Sequence, residues 1–77
     1  MKIKITAFGY LTESIGKNQI EMDFVSDIAT LKINLENQYP DLKNREYKIA
    51  VDKEIVIGNT KLNENCEIVL LPPFAGG

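Results

Sequence analysis

The chemistry available to this 77-residue chain is concentrated in its last six residues, Pro72-Pro73-Phe74-Ala75-Gly76-Gly77. Gly77 has no side chain to offer, only a backbone carboxylate. A carboxylate is a weak electrophile. It must first be activated, for example as a mixed anhydride with a nucleotide phosphate, before sulfur or an amine can displace the leaving group. Two glycines are a poor end for a fold, because they pack nothing and lose more backbone freedom on ordering than other residues. They are a good end for a tail that threads a narrow channel, where no Cβ of Gly76 or Gly77 would block the passage. Pro72 and Pro73 cannot donate ladder hydrogen bonds, so they end the preceding strand and stiffen the chain into an extended form. Phe74 projects from that stiff segment just before the glycines, one large aromatic that would anchor the tail. Binding at a remote docking surface can position such a terminus for reaction.

No other group competes strongly for a chemical role. Cys66 is the one cysteine and there is no histidine, so a Cys-His pair is impossible. Metal binding is a poor prospect, with one thiol, no imidazole and scattered carboxylates. Cys66 opens an alternating stretch and shares a face with Ile68 and Leu70, so it reads as a buried structural thiol. Glu13 and Glu21 read as solvated surface, and the three tyrosines as packing or rim residues. The chain is therefore expected to be non-catalytic alone.

The elements that must position the tail follow from periodicity. Lys2 to Ala7 alternates, with Ile3, Ile5 and Ala7 on one face. Phe8 to Gly16 breaks the pattern and reads as a loop or short helical turn. Asn18 to Phe24 alternates again and forms a hairpin with the first strand. Asp27 supplies an N-cap carboxylate. Ile28, Leu31, Leu35 and Tyr39 follow as one helical stripe, with Ile33 off it. Pro40 ends the helix. Asp41 to Glu46 is polar, with room for a single turn. Tyr47 to Val51 is a third strand, Asp52-Lys53 a two-residue turn and Glu54 to Ile57 a short fourth strand. Gly58-Asn59 is a turn, Leu62 a lone apolar anchor, and Cys66 to Leu71 the last strand.

In that last strand Val69 and Leu71 lie opposite Cys66, Ile68 and Leu70, so they face away from a helix-covered core and offer apolar surface to a partner. The competing reading covers them with a longer loop. One helix over a mixed sheet of four or five strands is an α+β arrangement. With the first and last strands central and parallel, it is a ubiquitin-like β-grasp. Residues 1–71 are the domain and 72–77 the extended tail.

Composition agrees with one soluble domain: 44% apolar, 26% charged, net charge -2. There is no basic field for nucleic acid. The start, Met1 to Phe8, has no apolar run of signal-peptide length, and the longest apolar run, residues 68–73, is too short to span a bilayer. A single cysteine excludes an internal disulfide and fits the cytoplasm.

The chain resembles the small subunit of molybdopterin synthase, a sulfur carrier. The similarity runs along almost its whole length. It rests on Phe8-Gly9-Tyr10-Leu11-Thr12-Glu13-Ser14-Ile15-Gly16 after the first strand, and on Leu31 to Pro40 with its Leu, Leu and Tyr-Pro. It rests also on Ile49-Ala50-Val51-Asp52, on Leu62 to Ile68, and most specifically on Leu71 to Gly77. Asp52 stands where asparagine is usual, and Asn65-Cys66 where Gly-Asp is common.

The resemblance implies that an ATP-dependent E1-like enzyme adenylates Gly77 and that a sulfur donor converts the adenylate to a thiocarboxylate. The tail would then enter the large subunit, in a heterotetramer of two small and two large subunits, and pass sulfur to a cyclic pyranopterin precursor. No tightly bound cofactor, metal, nucleic acid or membrane is implied. Gly77 would react, Gly76 and Ala75 would give passage, and Phe74, Pro73 and Pro72 would anchor and aim. Val69, Leu71 and Phe8 would dock, although a core position for Phe8 is the reading favoured by its place at a strand end. Because a thiocarboxylate is ionised near neutral pH, the partner's channel is expected to end in lysine or arginine. Three alternatives stay open: a carrier for thiazole synthesis in the thiamine pathway, a ubiquitin-like modifier conjugated through Gly77, and an interaction domain with an incidental tail.

Overall fold

The computed structural model describes residues 1–73. The elements are β1 (Lys2–Ala7), α1 (Leu11–Ile15), β2 (Gln19–Asp23), α2 (Ile28–Gln38), a 3-10 helix (Pro40–Asn44), β3 (Lys48–Val51), β4 (Glu54–Ile55) and β5 (Ile68–Leu71). The five strands form one sheet in the order β2-β1-β5-β3-β4. β1 and β5 are parallel neighbours, with Ile5 beside Ile68, Thr6 beside Val69 and Ala7 beside Leu70. The other pairings are antiparallel. This is the β-grasp layout expected from the alternation of the strands.

α2 covers one face of the sheet. Ile28, Leu31 and Leu35 are buried, and Ile33 is 61% exposed, as its place off the stripe requires. The Asp27 carboxylate caps the helix by accepting from the Thr30 N–H at 3.1 Å. That bond and a second from Asn59 hold its pKa below the usual carboxylate range. The core beneath α2 combines Ile3, Ile5 and Ala7 of β1, Ile20 and Met22 of β2, Ile49 of β3, and Ile68 and Leu70 of β5.

Two strand boundaries differ from the expectation by two residues, and one burial is unexpected. β4 stops at Ile55 rather than Ile57. Just beyond it the chain swings across to the start of α2, where Asn59 Oδ1 accepts from the Ala29 N–H at 2.9 Å and the Thr60 carbonyl accepts from the Ile28 N–H at 2.9 Å. A chain that closes the helix N-terminus cannot also continue along β3, and Ile57 is left 94% exposed. β5 begins at Ile68, after a turn at Glu64-Asn65 and two residues whose bonds lie outside the ladder. The Cys66 N–H donates to the Asn63 carbonyl, and Glu67 exchanges bonds with Asp52.

The third difference is Leu42. It sits in a stretch that reads as polar, yet it is 1% exposed. The 3-10 helix tucks it under α1 and α2, and the Ser14 hydroxyl donates to Asp41 at 2.7 Å beside it. Leu42→Ala is therefore expected to lower the unfolding free energy by about 2–5 kcal/mol. Ile33→Ala should change it by less than about 1 kcal/mol. Urea titration followed by circular dichroism separates the two.

Candidate functional site

The site is built where the last strand ends. β5 is flanked on both sides, so its position is fixed by two ladders. Ile68 and Leu70 point into the core, and Val69 and Leu71 point to the opposite, open face, where both are half-buried. Their neighbours on that face follow from the registers. Val69 lies between Thr6 and Ala50, Ala50 pairs with Ile55, and Leu71 pairs with Lys48.

The open face is thus divided. Its β2-β1 side carries Lys2, Lys4, Thr6, Gln19, Glu21 and Asp23, all exposed or half-buried. Its β5-β3-β4 side carries Val69, Leu71, Ala50 and Ile55. Ala50 is only 5% exposed although it lies outside the helix-covered core. Val69 and Ile55 flank it on the neighbouring strands. The apolar half of this face adjoins the point where the chain leaves the sheet.

Phe8 adds to this surface. It is 50% exposed, which corrects the reading of it as a core aromatic. β1 ends at Ala7, and the Phe8 N–H donates to the Leu70 carbonyl at 3.1 Å, which keeps the residue beside β5. The ring itself lies outside the core because the inward position is already taken by Ala7, 2% exposed.

The next residue brings the site together. Gly9 has φ +60, and Pro72 lies directly over it, so that a Cβ at position 9 would stand 2.7 Å from Pro72 Cγ. Pro72 is buried and Pro73 half-buried. The diproline, expected to belong wholly to the tail, is seated in the domain by its first ring. The sequence signals for this seat are weak: a glycine in an irregular stretch and a proline after a strand. Phe74, Ala75, Gly76 and Gly77 lie outside the described residues.

Cys66 is elsewhere. It is buried at 7% exposure within the core cluster, and burial pushes its thiol pKa up. A thiol held neutral is a poor nucleophile. Among the described residues no group of three or more His, Cys, Asp or Glu could hold a metal ion, and no helix is long and apolar enough to cross a membrane. Tyr47 donates to Glu36 at 2.6 Å, and burial first, then that carboxylate, raise its pKa well above normal. It serves packing between α2 and β3.

Comparison with known proteins agrees with this fold. The model of the ThiS family matches residues 5–77. The chain is 34% identical to the molybdopterin synthase sulfur carrier subunit of Dictyostelium discoideum, over 99% of this chain and 96% of that one. The putative molybdopterin converting factor subunit 1 of Pyrococcus furiosus has the same fold, with TM-score 0.86 at 16% identity, covering 95% of this chain and 98% of that one. A chain in the complex of subunits 1 and 2 of molybdopterin-converting factor from Helicobacter pylori matches with TM-score 0.74 at 26% identity, over the full length of both.

The burial of Cys66 has a direct consequence for sulfur chemistry. Iodoacetamide at neutral pH should alkylate the folded protein far more slowly than the urea-unfolded chain, and Cys66→Ala should still fold and still be loaded with sulfur. Loss of loading with the fold intact would return the thiol to the mechanism.

Proposed function

This chain belongs to the ThiS family of β-grasp sulfur carriers, and we propose that it is the small subunit of a molybdopterin synthase, carrying sulfur as a thiocarboxylate on Gly77. The observation that supports this reading best is the seat of Pro72. The last six residues begin on a rigid point of the domain, beside the apolar half of an otherwise polar sheet face.

In this reading an E1-like enzyme takes the Gly77 carboxylate and ATP to the acyl-adenylate, with release of pyrophosphate. A sulfur donor then displaces AMP to leave the thiocarboxylate. Val69, Leu71 and Phe8 dock on the large subunit, while Pro72, Pro73 and Phe74 aim and anchor the tail. Ala75 and Gly76 let it pass, and Gly77 delivers sulfur to a cyclic pyranopterin precursor. The Helicobacter pylori relative is found with a second subunit, which supports a large-subunit partner here. The domain itself contributes position rather than catalysis. Its one thiol is buried, and the reacting group is a main-chain carboxylate.

The test is sulfur transfer in the assembled two-subunit complex. Thiolated chain, large subunit and cyclic pyranopterin precursor are expected to yield the dithiolene product, and deletion of Gly77 should abolish it. Transfer to a thiazole precursor in its place would move the chain to the thiamine pathway, and covalent conjugates through Gly77 in cell extract would make it a modifier. Leu71→Asp should weaken large-subunit binding by roughly tenfold or more, about 1.4 kcal/mol. Unchanged affinity with an intact fold would remove Leu71 from the interface.

A further inference from the structure

Three glycines among the described residues have positive φ: Gly9 at +60, Gly16 at +90 and Gly58 at +78. At Gly16 and Gly58 an added Cβ would meet nothing within 4 Å. Those two serve their turns alone. Gly9 differs, because its missing side chain is filled by another residue. A Cβ there would lie 2.7 Å from Pro72 Cγ and 3.6 Å from Pro72 Cδ. Carbon atoms cannot approach so closely, so either Pro72 or the turn would have to move.

The turn is braced against moving. The Gly9 carbonyl accepts from the Thr12 hydroxyl at 2.9 Å and from the Thr12 N–H at 3.2 Å. The Phe8 N–H is held by Leu70, and the Leu11 N–H closes back on the Phe8 carbonyl at 3.2 Å. Beyond the turn, the Tyr10 hydroxyl donates to the Glu46 carbonyl at 2.5 Å, and the Arg45 guanidinium lies over the Tyr10 ring at 5.2 Å. Ser14 is tied to Asp41 at 2.7 Å. The floor under Pro72 is therefore fixed to both β5 and the 3-10 helix, and Pro72 is the part able to give.

We propose that Gly9 is a positioning residue for the carboxyl terminus: its bare backbone is the seat on which Pro72 packs, and that seat sets the direction in which the chain leaves the domain. This rests on the sulfur-carrier reading above. The leverage is large. Each proline fixes its own φ, so a tilt at Pro72 passes into Pro73 with few soft torsions to absorb it. The four residues that follow span at most about 14 Å when extended. A tilt of about 20° at the seat would then displace Gly77 by up to about 5 Å over that span. A misplacement of about 1 Å can cost about a hundredfold in a positioned reaction.

The experiment compares Gly9→Ala with Gly16→Ala, which carries similar backbone strain without touching Pro72. A second arm adds Pro72→Ala to Gly9→Ala and to the wild type. Each full-length variant is incubated with the E1-like enzyme and ATP, and pyrophosphate release is measured at matched folded fraction. Gly9→Ala should lower kcat by roughly tenfold or more with KM little changed, and Gly16→Ala should not. In the Pro72→Ala background the further effect of Gly9→Ala should be much smaller, since the clash is gone. Amide NMR should show shifts at Leu71 and in residues 74–77 for Gly9→Ala and none there for Gly16→Ala; Pro72 and Pro73 carry no amide proton.

Equal kcat for the two glycine variants would overturn the proposal. So would an undiminished Gly9→Ala effect when Pro72 is replaced. Failure of the wild-type chain to be adenylated at all would instead overturn the sulfur-carrier reading. In that case the NMR comparison still decides whether Gly9 directs the chain beyond Pro72.

Discussion

The parallel pairing of β1 with β5 is the constraint on which the rest of the structure depends. Parallel neighbours cannot be joined by a tight turn, so the intervening chain must cross over one face of the sheet, and α2 is part of that crossing. The pairing places Ile5 and Ile68 at the centre of the core, both fully buried. Because the strands run the same way, they end at the same edge. Gly9, two residues past β1, and Pro72, the residue after β5, therefore meet. Gly9 under Pro72 is the outcome of that topology, and Phe8 beside Leu70 is its nearest hydrogen-bonded witness.

The same pairing divides labour between the two sheet faces. Alternate residues of β5 serve different ends, with Ile68 and Leu70 holding the fold and Val69 and Leu71 forming its outward surface. The proposed docking surface and the proposed reactive terminus are thus attached to one strand whose inner face cannot shift without loss of the core. In the proposed function rigidity at the base matters, because the Gly77 carboxylate that would react lies on no side chain of the domain. On that reading the domain supplies direction and a place to bind, and the chemistry belongs to the enzymes that would receive the tail.

Much of this arrangement was legible in the sequence, for identifiable reasons. Ile3, Ile5 and Ala7 alternate cleanly because β1 has a core face and a solvated face. Ile28, Leu31 and Leu35 mark the buried stripe of α2, and Asp27 marks its start. Local pattern failed where burial depended on distant partners. Leu42 looks like a stray apolar residue until the 3-10 helix folds it beneath two helices. Ala50 is small enough to carry little signal, yet it is 5% exposed between its neighbours on two strands. Pro72 and Gly9 are far apart in the chain, and each has an ordinary local meaning, a strand end and a turn. Their contact depends on register, which no window of sequence displays. Phe8 went the other way, because alternation does not reveal that the inward place at the strand end belongs to Ala7.

In the proposed function the group carrying sulfur is the backbone carboxylate of Gly77 rather than Cys66. Intact-mass spectrometry of the full chain, after incubation with its E1-like enzyme, ATP and a sulfur donor, tests this most directly. The expected result is a gain equal to the replacement of one oxygen by one sulfur, localised by fragmentation to Gly77 and retained in Cys66→Ala. No gain at Gly77, or a gain of a whole sulfur atom on Cys66, would contradict it.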